Sequence, residues 1–209
     1  MIAILDYGAG NIRSVKKALE HIGCDCRITD NREEILSADA AVLPGQGSFG
    51  DCMSSMERGG MKDTVIEFIS TGKPFLGICV GLQLLFDGSE ESEGTDGLGL
   101  FRGMIKRIPG GEGLKIPHMG WNSLNVSADS RLLSGLGEEP FVYFVHSYYL
   151  DAEDKSIVSA QTEYGVTIDA AIERGNVFAT QFHPEKSGET GLRILRNFVS
   201  IAGGEADVR

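Results

Sequence analysis

With 209 residues, 42% of them apolar, the chain is long enough for one α/β domain with a substantial core, and residues 1–209 are read as a single domain. Its 30 acidic and 19 basic side chains leave a net charge of −11, which excludes nucleic acid and anionic membrane surfaces as partners. No apolar run is long enough to span a membrane, the first residues lack the basic start and apolar core of a secretory leader, and the spacing of Cys24, Cys26, Cys52 and Cys79 matches neither a zinc ribbon nor a redox C-x-x-C, so a reduced, cytoplasmic chain is expected.

The chain opens on a strand over residues 2–6, apolar on both faces as in a parallel sheet. Tyr7-Gly8-Ala9-Gly10-Asn11 then forms a tight loop, with Asn11 as the expected N-cap of a helix over 12–22. Gly8-x-Gly10 is not a dinucleotide fingerprint, because Arg13 occupies the place of the third glycine. The loop still lies at the carboxyl end of a strand, where α/β folds place function. A strand over 25–29, a short helix over 33–36 and a strand over 40–43 follow. The last runs into Pro44-Gly45-Gln46-Gly47-Ser48-Phe49-Gly50. Its glycines suit either a generous turn or backbone N–H donors that a ligand approaches closely. An amphipathic helix over 61–70 completes a βαβαβα order, which predicts a parallel sheet with helices on both faces.

Phe75-Leu76-Gly77-Ile78 reads as a short buried strand and 80–86 as an apolar helix, with Cys79 at the junction. Glycines stand two residues before and two after it, the pattern of a nucleophile elbow with Cys in place of Ser. A strand that turns abruptly into a helix crowds its neighbours, so side chains at Gly77 and Gly81 would collide. The helix N-terminus favours a thiolate and supplies N–H donors to an oxyanion. Taken singly, G-x-C-x-G also arises by chance, and a free cysteine is often only a small buried hydrophobe.

An acidic stretch over 87–94 reads as solvated surface. From Phe101 onward the period shortens: strands are expected over 104–108, 123–126, 141–145, 157–161, 166–172 and 177–180, joined by short turns. The fold class is therefore α/β, an open and mostly parallel central sheet flanked by helices, with an additional antiparallel layer in the C-terminal half. A helix over 189–201 closes the fold, and 203–209 is expected to fray. Between the last strand and that helix stands His183-Pro184-Glu185. Alone, such a pair is an ordinary surface contact; beside a cysteine elbow it has the residue types of a Cys-His-Glu triad, in which His takes the thiol proton and Glu orients the ring. The histidines His21, His118, His146 and His183 share no close spacing, so no metal is expected.

Gly-Ile-Cys-Val-Gly-Leu-Gln after a strand, with Phe-His-Pro-Glu far downstream, resembles the class I (triad) glutamine amidotransferases. Further segments, Asp6 to Asn11, Pro44-Gly45-x-Gly47-x-Phe49, Pro117-His118-Met119-Gly120-Trp121-Asn122, Tyr143 to Tyr148 and Gln181 to Ser187, resemble within that family the amidotransferase subunits of imidazole glycerol phosphate synthases. The likeness extends over nearly the whole chain.

The resemblance implies hydrolysis of L-glutamine to glutamate and ammonia, without a cofactor. The ammonia would pass to a (β/α)8-barrel synthase subunit, forming imidazole glycerol phosphate in histidine biosynthesis. It also implies roles for the matching residues. Cys79 would be nucleophile, His183 base and then acid, and Glu185 the group that orients it. The Val80 amide and one from Gly45, Gln46 or Gly47 would bind the oxyanion. Gln83, Ser147 and Tyr148 would hold the glutamine, and Glu91 its α-amino group. Asn11, Met119, Trp121, Asn122 and Tyr143 would meet the partner; Met119 and Trp121 are equally compatible with core packing. Gln46 departs from the family's usual Val, a change that a backbone donor tolerates. Another amidotransferase on this scaffold, serving anthranilate or pyridoxal phosphate synthesis, a thiol hydrolase without a partner, or a non-catalytic binding module are the alternatives. The intact Cys79, His183 and Glu185 argue against the last.

Overall fold

The structure, a computed structural model, describes residues 1–111 and 113–203. In chain order its elements are β1 (Ile2–Leu5), α1 (Ile12–His21), β2 (Cys26–Thr29), α2 (Arg32–Ser37), β3 (Ala40–Gly45), α3 (Phe49–Arg58), α4 (Met61–Ser70), β4 (Phe75–Cys79) and α5 (Val80–Gln83). The second half adds β5 (Gly88–Ser89), β6 (Gly103–Arg107), β7 (His118–Ser123), β8 (Asn125–Val126), β9 (Phe141–His146), β10 (Tyr148–Ala152), β11 (Val158–Glu163), β12 (Thr167–Arg174), β13 (Val177–Thr180) and α6 (Gly188–Ile201).

Strands β1, β3, β4 and β13 are buried at every position, as their unbroken apolar runs demand. They form the middle of an eight-stranded sheet of order β2-β1-β3-β4-β13-β12-β11-β8. From β2 to β13 the pairs are parallel; β12, β11 and β8 continue the same sheet antiparallel. The connection from β1 to β2 runs one way along the sheet and that from β2 to β3 runs back. Right-handed crossovers therefore put α1 and α2 on opposite faces. Helix α6 packs with α1, and α4 packs with α2 and α3. Two smaller layers, β10-β6-β5 and the antiparallel ribbon β7-β9, complete the expected second layer.

Several expectations are corrected. Helix α3 begins inside the glycine-rich loop, at Phe49, and fills 51–58, where no element is expected. Ser48 caps it by accepting from the Asp51 amide at 3.2 Å, and Phe49, Cys52, Met53 and Met56 give it a buried stripe at helical spacing. Strand β3 runs on through Pro44 and Gly45, which pair with Ile78 and Cys79. Asn11 occupies the cap position of α1 but makes no side-chain cap bond. Helix α5 is a single turn rather than reaching Phe86. Past Gln83 the amides of Leu85 and Phe86 bond only three residues back, to Leu82 and Gln83, and the carbonyls of Leu84, Leu85 and Phe86 accept the amides of Leu98, Leu100 and Gly99. The acidic stretch is not all surface: Gly88 and Ser89 are buried in β5, and Glu91 bonds the start of α3. The strand expected over 123–126 begins earlier, as β7, and breaks into β8; β10 went unread because Ser147 divides an otherwise continuous run. Of the terminal stretch expected to fray, 204–209 lie outside the described residues.

Candidate active site

The site is built at the carboxyl ends of the central strands. Cys79 ends β4 at φ 56°, ψ −110°, and is the one non-glycine residue with positive φ among the described residues. Such a conformation costs on the order of 1–3 kcal/mol and persists only when its surroundings enforce it. Here they do. A Cβ on Gly77 would lie 2.7 Å from the Gly81 carbonyl oxygen, and one on Gly81 would strike the Leu43 carbonyl of β3. The elbow closes on itself only with glycine at 77 and fits against β3 only with glycine at 81. Val80 then opens α5, where an amide has no acceptor within its own helix.

The chain leaves β13 next door and delivers His183, which is 3% exposed. Its Nδ1 stands 2.8 Å from Glu185 Oε1. A 3-10 turn over Pro184–Lys186 carries Glu185, and His183 stands at its N-cap position. The His183 amide donates to the Tyr143 carbonyl at 3.0 Å, and Ser187 Oγ donates to the His183 carbonyl at 2.6 Å. Burial by itself would lower the His183 pKa, but hydrogen bonding to Cys79 and Glu185 outweighs it and raises the ring to about 9. An imidazole so placed is cationic near neutrality.

A cavity of about 370 Å³ opens over the sulfur. Cys79, Val80 and His183 line one wall, Gln46 and Gly47 another, and Gln83, Glu91, Ser147 and Tyr148 the rest. Gly45 lies behind this wall as the strand partner of Cys79. Gly47 adopts φ +103°, which few residues but glycine accept. The volume suits a small amino-acid-sized ligand. A larger cavity of about 630 Å³ lies at the opposite, amino ends of β4 and β13 and contains no cysteine or histidine. Among the described residues no cluster of three or more His, Cys, Asp or Glu side chains could hold a metal ion.

The sequence model of the family described as Glutamine amidotransferase class-I matches residues 3–202. The chain belongs to that family. A protein of Methanothermobacter thermautotrophicus named imidazole glycerol phosphate synthase subunit HisH is 53% identical over 201 residues, covering 96% of this chain and 98% of that one. Its namesake in Geobacillus kaustophilus is 50% identical over 211 residues, covering 99% and 100%. Among solved structures, one described as a glutamine amidotransferase superposes with a TM-score of 0.76 at 22% identity, covering 97% of this chain and 98% of that one, which establishes the shared fold.

Within this class-I amidotransferase fold, the residues expected at a partner surface divide. Met119 is 62% and Trp121 55% exposed, so neither packs in the core. They stand on the outer face of the β7-β9 ribbon, where Trp121 pairs with Tyr143, the ring centroids 6.2 Å apart. Phe141, 49% exposed, extends the same apolar face. Asn122 points the other way, its Nδ2 donating to the Glu163 carbonyl at 3.0 Å. Asn11 is half-buried at the start of α1, beside Gly10, which packs on Pro44.

Two groups went unread in the sequence. Gln181, wholly buried, directs Nε2 at the Cys79 sulfur at 3.8 Å. Its position immediately before Phe182-His183 was the available signal. His118 and His146, 28 residues apart, meet with 3.0 Å between Nδ1 and Nε2. Spacing along the chain carried no sign of this, because the contact is a cross-strand pair of β7 and β9. The Glu91 and Gln83 polar groups are partly committed within the protein. Glu91 Oε2 accepts from the Phe49 amide at 2.8 Å, and Gln83 Nε2 donates to the Tyr148 carbonyl at 3.1 Å and to Gln181 Oε1 at 3.0 Å.

Proposed function

We propose that the chain is the glutaminase subunit of an imidazole glycerol phosphate synthase. Residues 1–209 act as one glutaminase domain that hydrolyses L-glutamine to glutamate and ammonia and passes the ammonia to a (β/α)8-barrel synthase subunit in the cytoplasm. Relatives at about 50% identity over nearly their full length, all named as HisH subunits of that synthase, support the assignment. The observation that carries the chemistry is the 2.8 Å bond between His183 and Glu185, set in the same cavity as the strained Cys79.

The steps follow from that geometry. His183 holds the thiol proton, and Glu185 stabilises the resulting imidazolium. The Cys79 thiolate attacks the side-chain amide carbon of glutamine. The oxyanion that forms takes hydrogen bonds from the Val80 amide and from an amide in Gly45 to Gly47. His183 returns its proton to the departing nitrogen, ammonia leaves, and a glutamyl thioester remains. His183, now neutral, takes a proton from water, whose oxygen attacks the thioester; collapse releases glutamate and restores the thiolate–imidazolium pair. Gln83, Ser147, Tyr148 and Glu91 surround the amino-acid end of the substrate. Ammonia released to bulk water would be protonated and lost, which favours a sealed junction with the consumer. The apolar face of Met119, Trp121, Phe141 and Tyr143 fits such a junction, and the family resemblance adds Asn11 and Asn122 as further contacts to the partner.

The decisive experiment replaces Cys79 by Ala in the assembled pair. Glutamine-dependent synthesis is expected to vanish while synthesis supplied with ammonia continues. Retained use of glutamine would overturn the assignment. Wild-type turnover that ignores every synthase partner would point to a free-standing hydrolase instead.

A further inference from the structure

The inner face of the β7-β9 ribbon carries a chain of hydrogen bonds whose direction can be worked out from one end. The Tyr148 carbonyl can only accept, and His146 Nδ1 lies 2.9 Å from it. His146 Nδ1 therefore bears the proton, and its Nε2 presents a lone pair. His118 Nδ1, 3.0 Å from that lone pair, must donate. This leaves His118 Nε2 as an acceptor, and Asn122 Nδ2 stands 3.4 Å from it. The polarity is consistent from end to end only when both rings are neutral. Burial ensures this, depressing His118 to about 4 and His146 to about 3. His118 is further clamped between Tyr164 and Phe144, with centroid distances of 3.8 and 4.6 Å.

At the Tyr148 carbonyl this chain meets a second one. Gln83 Nε2 donates to the same oxygen and to Gln181 Oε1, which fixes which end of each amide is which. Gln181 is left with its Nε2 directed at the Cys79 sulfur. The carbonyl between the two histidines and the two glutamines is thus the hinge of the arrangement.

Resting on the glutaminase reading above, the geometry points to His118 and His146 as positioning residues for glutamine hydrolysis: their directed hydrogen bonds hold the turn from His146 to Tyr148, and through Gln83 and Gln181 they align the Cys79 sulfur. Neither ring touches the reacting atoms by this account. The pair acts by removing freedom from the wall that grips the substrate and from the donor that faces the nucleophile. It also joins that wall to the strand whose outer face carries Met119 and Trp121.

The test has two arms, both on the chain assembled with its synthase partner. In the first, His118→Phe keeps a flat ring between Tyr164 and Phe144 but has no N–H to give. Its kcat for glutamine is expected to fall between about tenfold and a hundredfold, the range for a misplaced catalytic constellation, with KM changed less than about threefold and an unaltered melting temperature. His118→Asn keeps an N–H where Nδ1 stood and is expected to recover most of the lost kcat. An unimpaired His118→Phe variant, a loss confined to KM, or equal losses in both variants would each overturn the inference. In the second arm, ring 15N shifts of the unmodified protein are expected to show both histidines protonated at Nδ1, the form less favoured in free imidazole. A proton on Nε2 of either ring would overturn it. Absence of any glutamine turnover in the wild-type pair would instead sink the functional reading on which the inference depends.

Discussion

Three side chains bear the proposed chemistry, and the one histidine among them, His183, is pushed in the opposite direction from His118 by its environment. Removing His183 takes away base and acid together, so His183→Asn is expected to lower glutamine turnover by about 100- to 10,000-fold, read by glutamate release from the assembled pair. The same residue links stability to pH. Its folded pKa, about 9, lies above the unfolded value near 6.5. The stability it contributes is therefore complete below about pH 6.5 and is lost as pH rises through about 9. The melting temperature of the wild type relative to His183→Asn is expected to fall across that window, and a constant difference would contradict the assignment. His118 behaves oppositely. Its folded pKa, about 4, lies below the unfolded value, so its burial favours the fold above about pH 6.5 and weakens it as pH falls through about 4.

At the level of elements, the elbow is a packing problem solved by glycine. Gly81→Ala would push a methyl group into the Leu43 carbonyl, a backbone atom that cannot swing aside. A loss of about 1–3 kcal/mol or more is expected in denaturant unfolding, with turnover falling because Cys79 shifts with α5. The β7-β9 ribbon obeys different rules. Trp121 is more than half exposed and lends little to the core. Trp121→Ala is expected to leave the melting temperature nearly unchanged yet weaken binding to the synthase partner by about 2 kcal/mol or more, roughly thirtyfold in Kd by titration. A large fall in stability with binding intact would remove the ribbon from the proposed interface.

For the molecule as a whole, the question is when the amidotransferase works. Hydrolysis without a waiting acceptor wastes ammonia, so the isolated chain is expected to be nearly inactive. The stretch Pro44-Gly45-Gln46-Gly47 could enforce this. Its first half is locked into β3 opposite the elbow, and the Tyr7 hydroxyl donates to the Pro44 carbonyl at 2.9 Å. Its second half is free of the ladder, with Gly47 at φ +103° and no atom within 4 Å of a Cβ placed there. A peptide there can rotate at little steric cost and present or withdraw an oxyanion donor, worth about 100- to 1000-fold in turnover. Glutamine hydrolysis should be measured for the chain alone, with the synthase partner, and with partner plus acceptor ligand. A large rise only in the third case is expected, and Gly47→Val, forced into a conformation that branched residues resist, is expected to blunt it. Equal turnover in all three would refute the switch.

The sequence by itself determined whatever depends on near neighbours in the chain. Unbroken apolar runs marked β1, β3, β4 and β13, because a strand covered on both faces has no polar face to alternate. The glycines around Cys79 marked the elbow, since only that turn needs both. His183-Pro184-Glu185 marked the second half of the site, because a two-residue separation across a proline turn already brings ring and carboxylate together. The tertiary structure decided what depends on meetings between distant residues. It made Asn11 a helix start without a side-chain cap, ended α5 after one turn, past which the carbonyls of 84–86 pair with residues 98–100, and drew Glu91 onto the start of α3. It placed Met119 and Trp121 outside the core, which alternation along β7 alone could not do while the covering of each face was unknown. It also brought His118 to His146 and Gln181 to Cys79, contacts separated by 28 and 102 residues. Strand pairing and a crossover create those contacts, and neither leaves a mark in local composition.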